Sequence, residues 1–283
     1  MASVTSMTKT SVLTKTVIYL IMGVFTLLAI YPIFWLIIQS FKTTQEYLLT
    51  SKLSFPTKWF TQNYVQSWKR GNFGILMTNS VIYTSVTVVS IIVFGFMAGF
   101  AFAKIPSKAT PFLSNSFIVG ILLTLQSIMV PLFLLVNMVG LYNTRIGILI
   151  PYIGIGLPMG VYLSTEYIRS IPDALIESAR IDGAKYLKIF SSIIVPMATP
   201  VAVTVAIMTV TGTWNEFMLI NILASSDKIK SIPVGIARFS GALASDYGKQ
   251  FAALVIGLIP MLVFYIIFRK QITKGVAAGA VKG

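Results

Sequence analysis

The chain has 283 residues, of which 56% are hydrophobic and only 11% charged, and its mean hydropathy is +0.85. Soluble domains carry about 25% charged residues, so a chain this apolar lacks the polar surface to dissolve in water. It contains no Cys and no His, which excludes disulfides, thiolate chemistry, the usual general base and any Cys/His metal cage. The net charge of +14 is scattered along the edges of apolar runs, a pattern suited to anionic lipid head groups and not to nucleic acid.

Six stretches longer than about 18 residues lack Asp, Glu, Lys and Arg: 16–41, 71–103, 109–144, 146–165, 189–215 and 250–268. A membrane helix needs about 20 mostly apolar residues. The chain is therefore predicted to be an all-α integral membrane protein with six transmembrane helices. Their cores lie near 17–38, 79–102, 116–138, 146–165, 193–215 and 250–268. The first run is far longer than the roughly 7–15 apolar residues of a cleavable leader, and no small-residue cleavage site follows it, so it counts as a span. The short alternating segments of a membrane barrel are absent. An even number of spans places both termini on one side. The terminal side carries twelve Lys and Arg residues against ten on the other, a difference too small to fix the orientation when two of the opposite loops are long.

Along the chain, the first span leads into a polar segment holding Pro56-x-x-Trp59, Asn63-Tyr64 and Trp68. The second span carries Gly95-Phe96-Met97-Ala98-Gly99 and the fourth Gly156-Leu157-Pro158-Met159-Gly160, two small-xxx-small faces that allow close helix approach. Gln126 and Ser127 sit in the third span and must face protein or water rather than lipid, either along a pathway or in a simple interhelical bond. Pro131, Pro158 and Pro260 are expected to kink their helices. No span core contains a charge, which argues against an ion-coupled carrier or a voltage sensor.

Four of the eight acids fall between Glu166 and Asp182, in the connection between the fourth and fifth spans. Ser170-Ile171-Pro172-Asp173 reads as a helix start with a serine cap and an early proline. Ala174, Leu175, Ile176, Ala179 and Ile181 give the next turns an apolar side, and Asp182-Gly183 signals a bend. By pattern alone this is an amphipathic helix at the membrane surface, which serves equally as a plain connector.

Glu177-Ser178-Ala179, three residues, Gly183, nine residues and then Ile193-Ile194-Val195-Pro196 resemble the EAA–G–I-x-L-P signature of binding-protein-dependent ABC importer permeases. Ser178 replaces the usual Ala and Val195 the usual Leu. Gly140-Leu141-Tyr142-Asn143-Thr144, Trp214-Asn215-Glu216-Phe217 and the glycine-rich end from Gly275 to Gly283 extend the likeness to the carbohydrate branch, specifically the smaller permease subunit of maltose-type transporters.

The resemblance implies a type I ABC importer permease fold in the bacterial cytoplasmic (inner) membrane, with both termini cytoplasmic. It implies an N-terminal tail, first helix and outer loop over 1–74, a five-helix permease core over 75–269 with a coupling loop at 170–190, and a cytoplasmic tail over 270–283. Glu177, Ser178, Ala179, Asp182 and Gly183 would couple to an ATPase. Gly279, Ala280, Val281, Lys282 and Gly283 would contact it, and the outer loop 218–249 would reach into a solute-binding protein. Gln126, Ser127 and Asn215 are the candidates for a substrate pathway. The implied partners are a homologous second permease, two ATPase subunits, an extracytoplasmic solute-binding protein and membrane lipids. No catalytic or metal-binding residues are expected. The chain has no G-x-x-x-x-G-K-[ST] loop, so ATP and Mg would belong to the ATPase subunits and this chain would hold no cofactor. The function implied is import of a sugar or oligosaccharide, the alternative being a non-sugar solute such as a polyamine or phosphate.

Overall fold

In the computed structural model, residues 12–239 and 246–280 are described, the side chains of 272–280 excepted. The chain runs through α1 (Val12–Gln39), α2 (Thr44–Leu49), α3 (Gln62–Arg70), α4 (Phe73–Lys104), α5 (Thr110–Ile121), α6 (Leu125–Met138), α7 (Arg145–Arg169), α8 (Asp173–Ile181) and α9 (Tyr186–Ile189). A π-helical turn (Phe190–Ile194) leads into α10 (Val195–Met197), α11 (Thr199–Asn215) and α12 (Met218–Leu223). A 3-10 turn (Asp227–Ile229), α13 (Ile232–Ala237) and α14 (Tyr247–Ala280) complete it. Among the described residues there is no strand.

Four helices, α1, α4, α7 and the first 25 residues of α14, are each long and apolar enough to cross a membrane. The other two expected spans are bent pairs. α5 and α6 meet at 105°, and the α9–α10 segment meets α11 at 71°. At the first break Thr124 is extended (φ −79°, ψ 143°) and its hydroxyl bonds Ser127 Oγ at 2.8 Å. At the second, two prolines act. Pro196 cannot donate a helical hydrogen bond and its ring crowds the carbonyl four residues back. The preceding turn widens to π, with the Val195 amide donating to the Phe190 carbonyl. Pro200 likewise leaves the Pro196 carbonyl without its backbone donor, and the Thr199 hydroxyl donates to it instead at 2.8 Å.

The chain divides into two compact units. The first runs to Ser67 and includes Phe239–Ile256. Here Asn63 Nδ2 donates to the carbonyls of Ser40 and Lys42, each at 2.8 Å. The Lys42 side chain is fully buried, its amino group donating to the Ser51 carbonyl at 3.2 Å and to Ser54 Oγ at 3.0 Å. Burial pushes its pKa down against the pull of Glu46. The aromatic residues of the polar segment pack locally: Trp59 and Tyr64 both sit on Phe41, with centroids 5.0 and 5.3 Å away.

The second unit, Trp68–Arg238 with Gly257–Gly283, is built on α4 packed along α7. Lipid tails are as apolar as Leu, so helices in a membrane associate by close contact rather than by a hydrophobic drive. The glycines of both small-residue faces meet here. A methyl on Gly95 would lie 3.1 Å from the backbone of Gly160, and one on Gly99 would lie 2.8 Å from Ser164 Cβ. One core cluster joins Ile91, Phe96 and Phe100 of α4 with Ile168, Ile176, Ile189, Ile194 and Val201. A second joins Tyr83, Ile148 and Tyr152 with Leu219, Ile220 and Leu223.

Candidate functional site

The charged connection sits at the end of the first cluster. Ile171 precedes a proline and so disfavours the α conformation, which ends α7 at Arg169 and leaves three residues before α8. Ser170 is consequently not the cap of α8: its hydroxyl donates back to the Tyr167 carbonyl at 2.7 Å. The N-cap position of α8 is Pro172, which supplies no side-chain cap. Stabilisation of this junction comes instead from Lys104, the last residue of α4. Its amino group donates to the carbonyls of Arg169 (3.3 Å) and Ile171 (2.6 Å) and to Asp173 Oδ1 (2.6 Å).

α8 buries Ile176 and half-buries Ala179, while Glu177, Ser178 and Arg180 are exposed. The helix ends in a two-bond αL cap. Gly183 is at φ +80°, its amide donates to the Arg180 carbonyl at 3.0 Å, and the Ala184 amide donates to the Ala179 carbonyl at 2.9 Å. This is the Schellman arrangement, and the small residues Ala179 and Ala184 both pack against the first core cluster. Gly183 lies four positions after Ala179, and that is the spacing the cap requires. The structure thus gathers Glu177, Ser178, Ala179, Asp182 and Gly183 on α8 and its cap, where Ile181 is exposed, as is Leu187 on the following α9. Between α8 and the Lys104–Pro111 segment lies a groove of about 520 Å³ bordered by Glu177, Arg180, Ser107 and Thr110.

The pathway candidates are not brought together. Gln126 and Ser127 are exposed on α6, and Asn215 is exposed at the end of α11, where its amide donates to the Thr211 carbonyl at 2.9 Å. A mostly apolar cavity of about 300 Å³ lies instead between α4, α7 and α11, its lining including Ile91, Gly160, Met208 and Thr213 together with Tyr152 and Glu216. The Tyr152 hydroxyl donates to Glu216 Oε2 at 2.7 Å. The same carboxylate accepts the Leu219 amide at 2.7 Å, so Glu216 caps α12. Neither Tyr152 nor Lys104 stands out in the sequence. Glu216 is visible there inside the Trp214–Phe217 motif, but its partner lies 64 residues away.

At the opposite end of α7, Gly140 (φ +73°) and Asn143 (φ +57°) make the turn, and Thr144 caps α7 by accepting the Gly147 amide at 3.0 Å. Asn143 Oδ1 accepts the amides of Ser225 and Ser226 at 3.1 and 2.8 Å. Much of the 218–249 segment is folded rather than free. Asn79 of α4 donates to the carbonyls of Lys228 and Lys230, each at 2.9 Å, and Tyr83 donates to that of Ile229 at 2.7 Å. A hydrogen bond from the Arg238 guanidinium holds the Asp227 carboxyl below its usual range. Residues 240–245 of this segment lie outside the described residues. In the tail, Gly279 and Ala280 are helical as the end of α14, while Val281, Lys282 and Gly283 lie outside the described residues. Among the described residues, no group of three or more His, Cys, Asp or Glu side chains is placed to hold a metal.

Comparisons with known proteins converge on the same loop-bearing core. Residues 91–274 match the family of binding-protein-dependent transport system inner membrane components. The chain is 35% identical over 270 residues to a putative ABC transporter permease protein of Caldicellulosiruptor sp., covering 95% of this chain and 98% of that one. It is 31% identical over 254 residues to a diacetylchitobiose uptake system permease protein of Streptomyces coelicolor, covering 89% of this chain and 84% of the relative. A trehalose transport system permease protein of Mycobacterium tuberculosis is 32% identical over 257 residues, covering 90% of this chain and 93% of the relative. Among solved structures, a chain of a bacterial ABC transporter involved in import of the acidic polysaccharide alginate superposes with a TM-score of 0.79 at 23% identity, covering 90% of this chain and 95% of that one. With the signature loop built in this way and the likeness running nearly end to end, the chain belongs to the family of binding-protein-dependent transport system inner membrane components and has the fold of a type I ABC importer permease.

Proposed function

We propose that this chain is the permease subunit of an ATP-driven importer that passes a sugar or oligosaccharide from a solute-binding protein into the cytoplasm. The observation that carries this is the nearly full-length match to permeases named for diacetylchitobiose and trehalose. The chain works with a homologous second permease, two ATPase subunits that bind ATP and Mg, and an extracytoplasmic solute-binding protein. The termini and α8 face the cytoplasm. α8 is the coupling helix: Glu177 offers a carboxylate to donors of the ATPase, and Ile181 and Leu187, 87% and 77% exposed, give an apolar contact beside it. A short helix seated by a fixed cap on the α4–α7 pair transmits a rigid-body displacement as alternating access. Gly279 to Gly283 extend the docking surface. Gln126, Ser127 and Asn215, exposed in the single chain, face the second permease along the pathway. Residues 75–269 form the permease core, preceded by 1–74 and followed by the tail 270–283.

Uptake of labelled oligosaccharides into proteoliposomes holding the complete complex tests this. ATP-dependent accumulation of at least one sugar is expected. Replacing Glu177 with Lys is expected to abolish it while the permease still inserts. Uptake of a polyamine or phosphate with none of any sugar would overturn the substrate class, and full uptake by an assembled Glu177→Lys complex would overturn the role of α8.

A further inference from the structure

We infer that Lys104 is a positioning residue for energy coupling: it locks the junction between α7 and α8 to the end of α4, so that α8 and the α4–α7 pair move as one body. The inference rests on α8 being the helix that receives force from the ATPase.

The geometry is specific. A lysine amino group has three donors and no acceptor. All three of Lys104 are directed at a single stretch of five residues, to the carbonyls of Arg169 and Ile171 and the carboxylate of Asp173, at 3.3, 2.6 and 2.6 Å. The Lys104 side chain is only 4% exposed while its partner Asp173 is 75% exposed, so the amino group is enclosed by protein and the carboxylate it holds stays open to water. The cation also sits where helix ends favour it, beside the terminal carbonyls of α7 and beside the acid in the first turn of α8.

The need for such a lock follows from the backbone. Ser170, Ile171 and Pro172 interrupt the helix between α7 and α8. A short non-helical link absorbs displacement by rotating its own dihedrals, which is how hinges work. A push on α8 would then swing the helix without moving the spans. Lys104 removes that freedom by fastening both sides of the link to a third point, the end of α4. α4 is itself held against α7 by the Gly95–Gly160 and Gly99–Ser164 approaches. The clamp closes a triangle of α4, α7 and α8, and displacement of one side carries the other two.

The chain has no native cysteine, so paired spin labels are clean probes. One is placed on α4 at Val93, which is 47% exposed, and one at the exposed Ala174 of α8. In the complete complex the labelled chain is expected to give a narrow distance distribution in both nucleotide-free and ATP-bound states. Lys104→Met is expected to broaden it about twofold and to lower solute moved per ATP hydrolysed by about threefold, while Lys104→Arg retains most of both. ATP hydrolysis itself should persist, which separates lost transmission from lost docking. If Lys104→Met does not assemble, Asp173→Asn is used, with the same change at smaller amplitude expected. A narrow distribution together with unchanged transport per ATP, in whichever of these variants assembles, overturns the clamp. Retained uptake in Glu177→Lys instead overturns the role of α8, while the distance widths still test the Lys104 clamp independently.

Discussion

Gly183 shows how much one residue contributes to the signature loop. Its φ of +80° lies in the left-handed region, and a methyl group built there meets nothing within 4 Å. The requirement for glycine is therefore conformational and not steric. An L-residue other than Gly, Asn or Asp costs about 1–2 kcal/mol in that region. Gly183→Ala is expected to destabilise the α8 cap by about 1 kcal/mol and Gly183→Asn by less, because Asn tolerates αL. Thermal unfolding of the purified complex, read beside uptake, checks this; an Ala variant as stable and as active as the parent would show that the αL cap is dispensable. The glycine and Ala179 at the other end of the cap are four residues apart, so both are legible in sequence. Lys104 is not. Its partners are 65 to 69 residues away and two of the three are backbone carbonyls, which carry no residue-specific signal. Ser170 misleads for a related reason: a serine before a proline reads as a cap, but the proline itself pushes the helix start past it.

At the scale of helices, counting charges locates the four unbroken candidate spans and the two bent pairs and says nothing about shape. A charge-free window records only that a segment tolerates lipid. The 105° break between α5 and α6 and the 71° break before α11 arise from local backbone conformations at Leu122–Thr124 and at the prolines 196 and 200, and hydropathy averages over both. Pairing of the glycine faces is legible in outline, since small residues four apart imply a close neighbour, but not which helix that neighbour is. The structure makes α4 and α7 the pair, and the atoms that a side chain would strike differ from site to site. On Gly99 a methyl would lie 2.8 to 3.0 Å from Ser164 Cβ, the Thr165 amide nitrogen and the Ser164 carbonyl carbon, two of them backbone. On Gly154 of α7 it would meet nothing within 4 Å. Gly99→Ala is accordingly expected to destabilise the core by about 1–3 kcal/mol through overpacking. Gly154→Ala is expected to be neutral or to stabilise by up to about 1 kcal/mol through helix propensity. Thermal unfolding of both variants in one detergent decides it, and equal shifts would remove the close α4–α7 contact as the explanation.

For the whole molecule the decisive quantity is which side of the membrane each end of α7 occupies. The helix has 25 residues and is therefore about 37 Å long, more than the roughly 30 Å of a hydrocarbon core. Ser178 lies on α8, just past its C-terminal end. Ser225 is tied to Asn143, just before its N-terminal end, by a 3.1 Å hydrogen bond. Both serines are exposed, so single cysteines at these two positions in an otherwise cysteine-free chain report the two ends directly. Labelling by an impermeant thiol reagent from opposite sides is expected whichever way the chain is inserted; labelling of both from one side would show that α7 does not span. The proposed function makes the stronger statement, that Ser178→Cys reacts only from the cytoplasm and Ser225→Cys only from outside. That orientation does not follow from cation counts, which are nearly balanced, but from the energy source. ATP is cytoplasmic, and a coupling helix has to be on the side where it is hydrolysed. Reaction of the two cysteines on opposite sides in the reverse sense would leave the helical fold intact and remove α8 from reach of any ATPase.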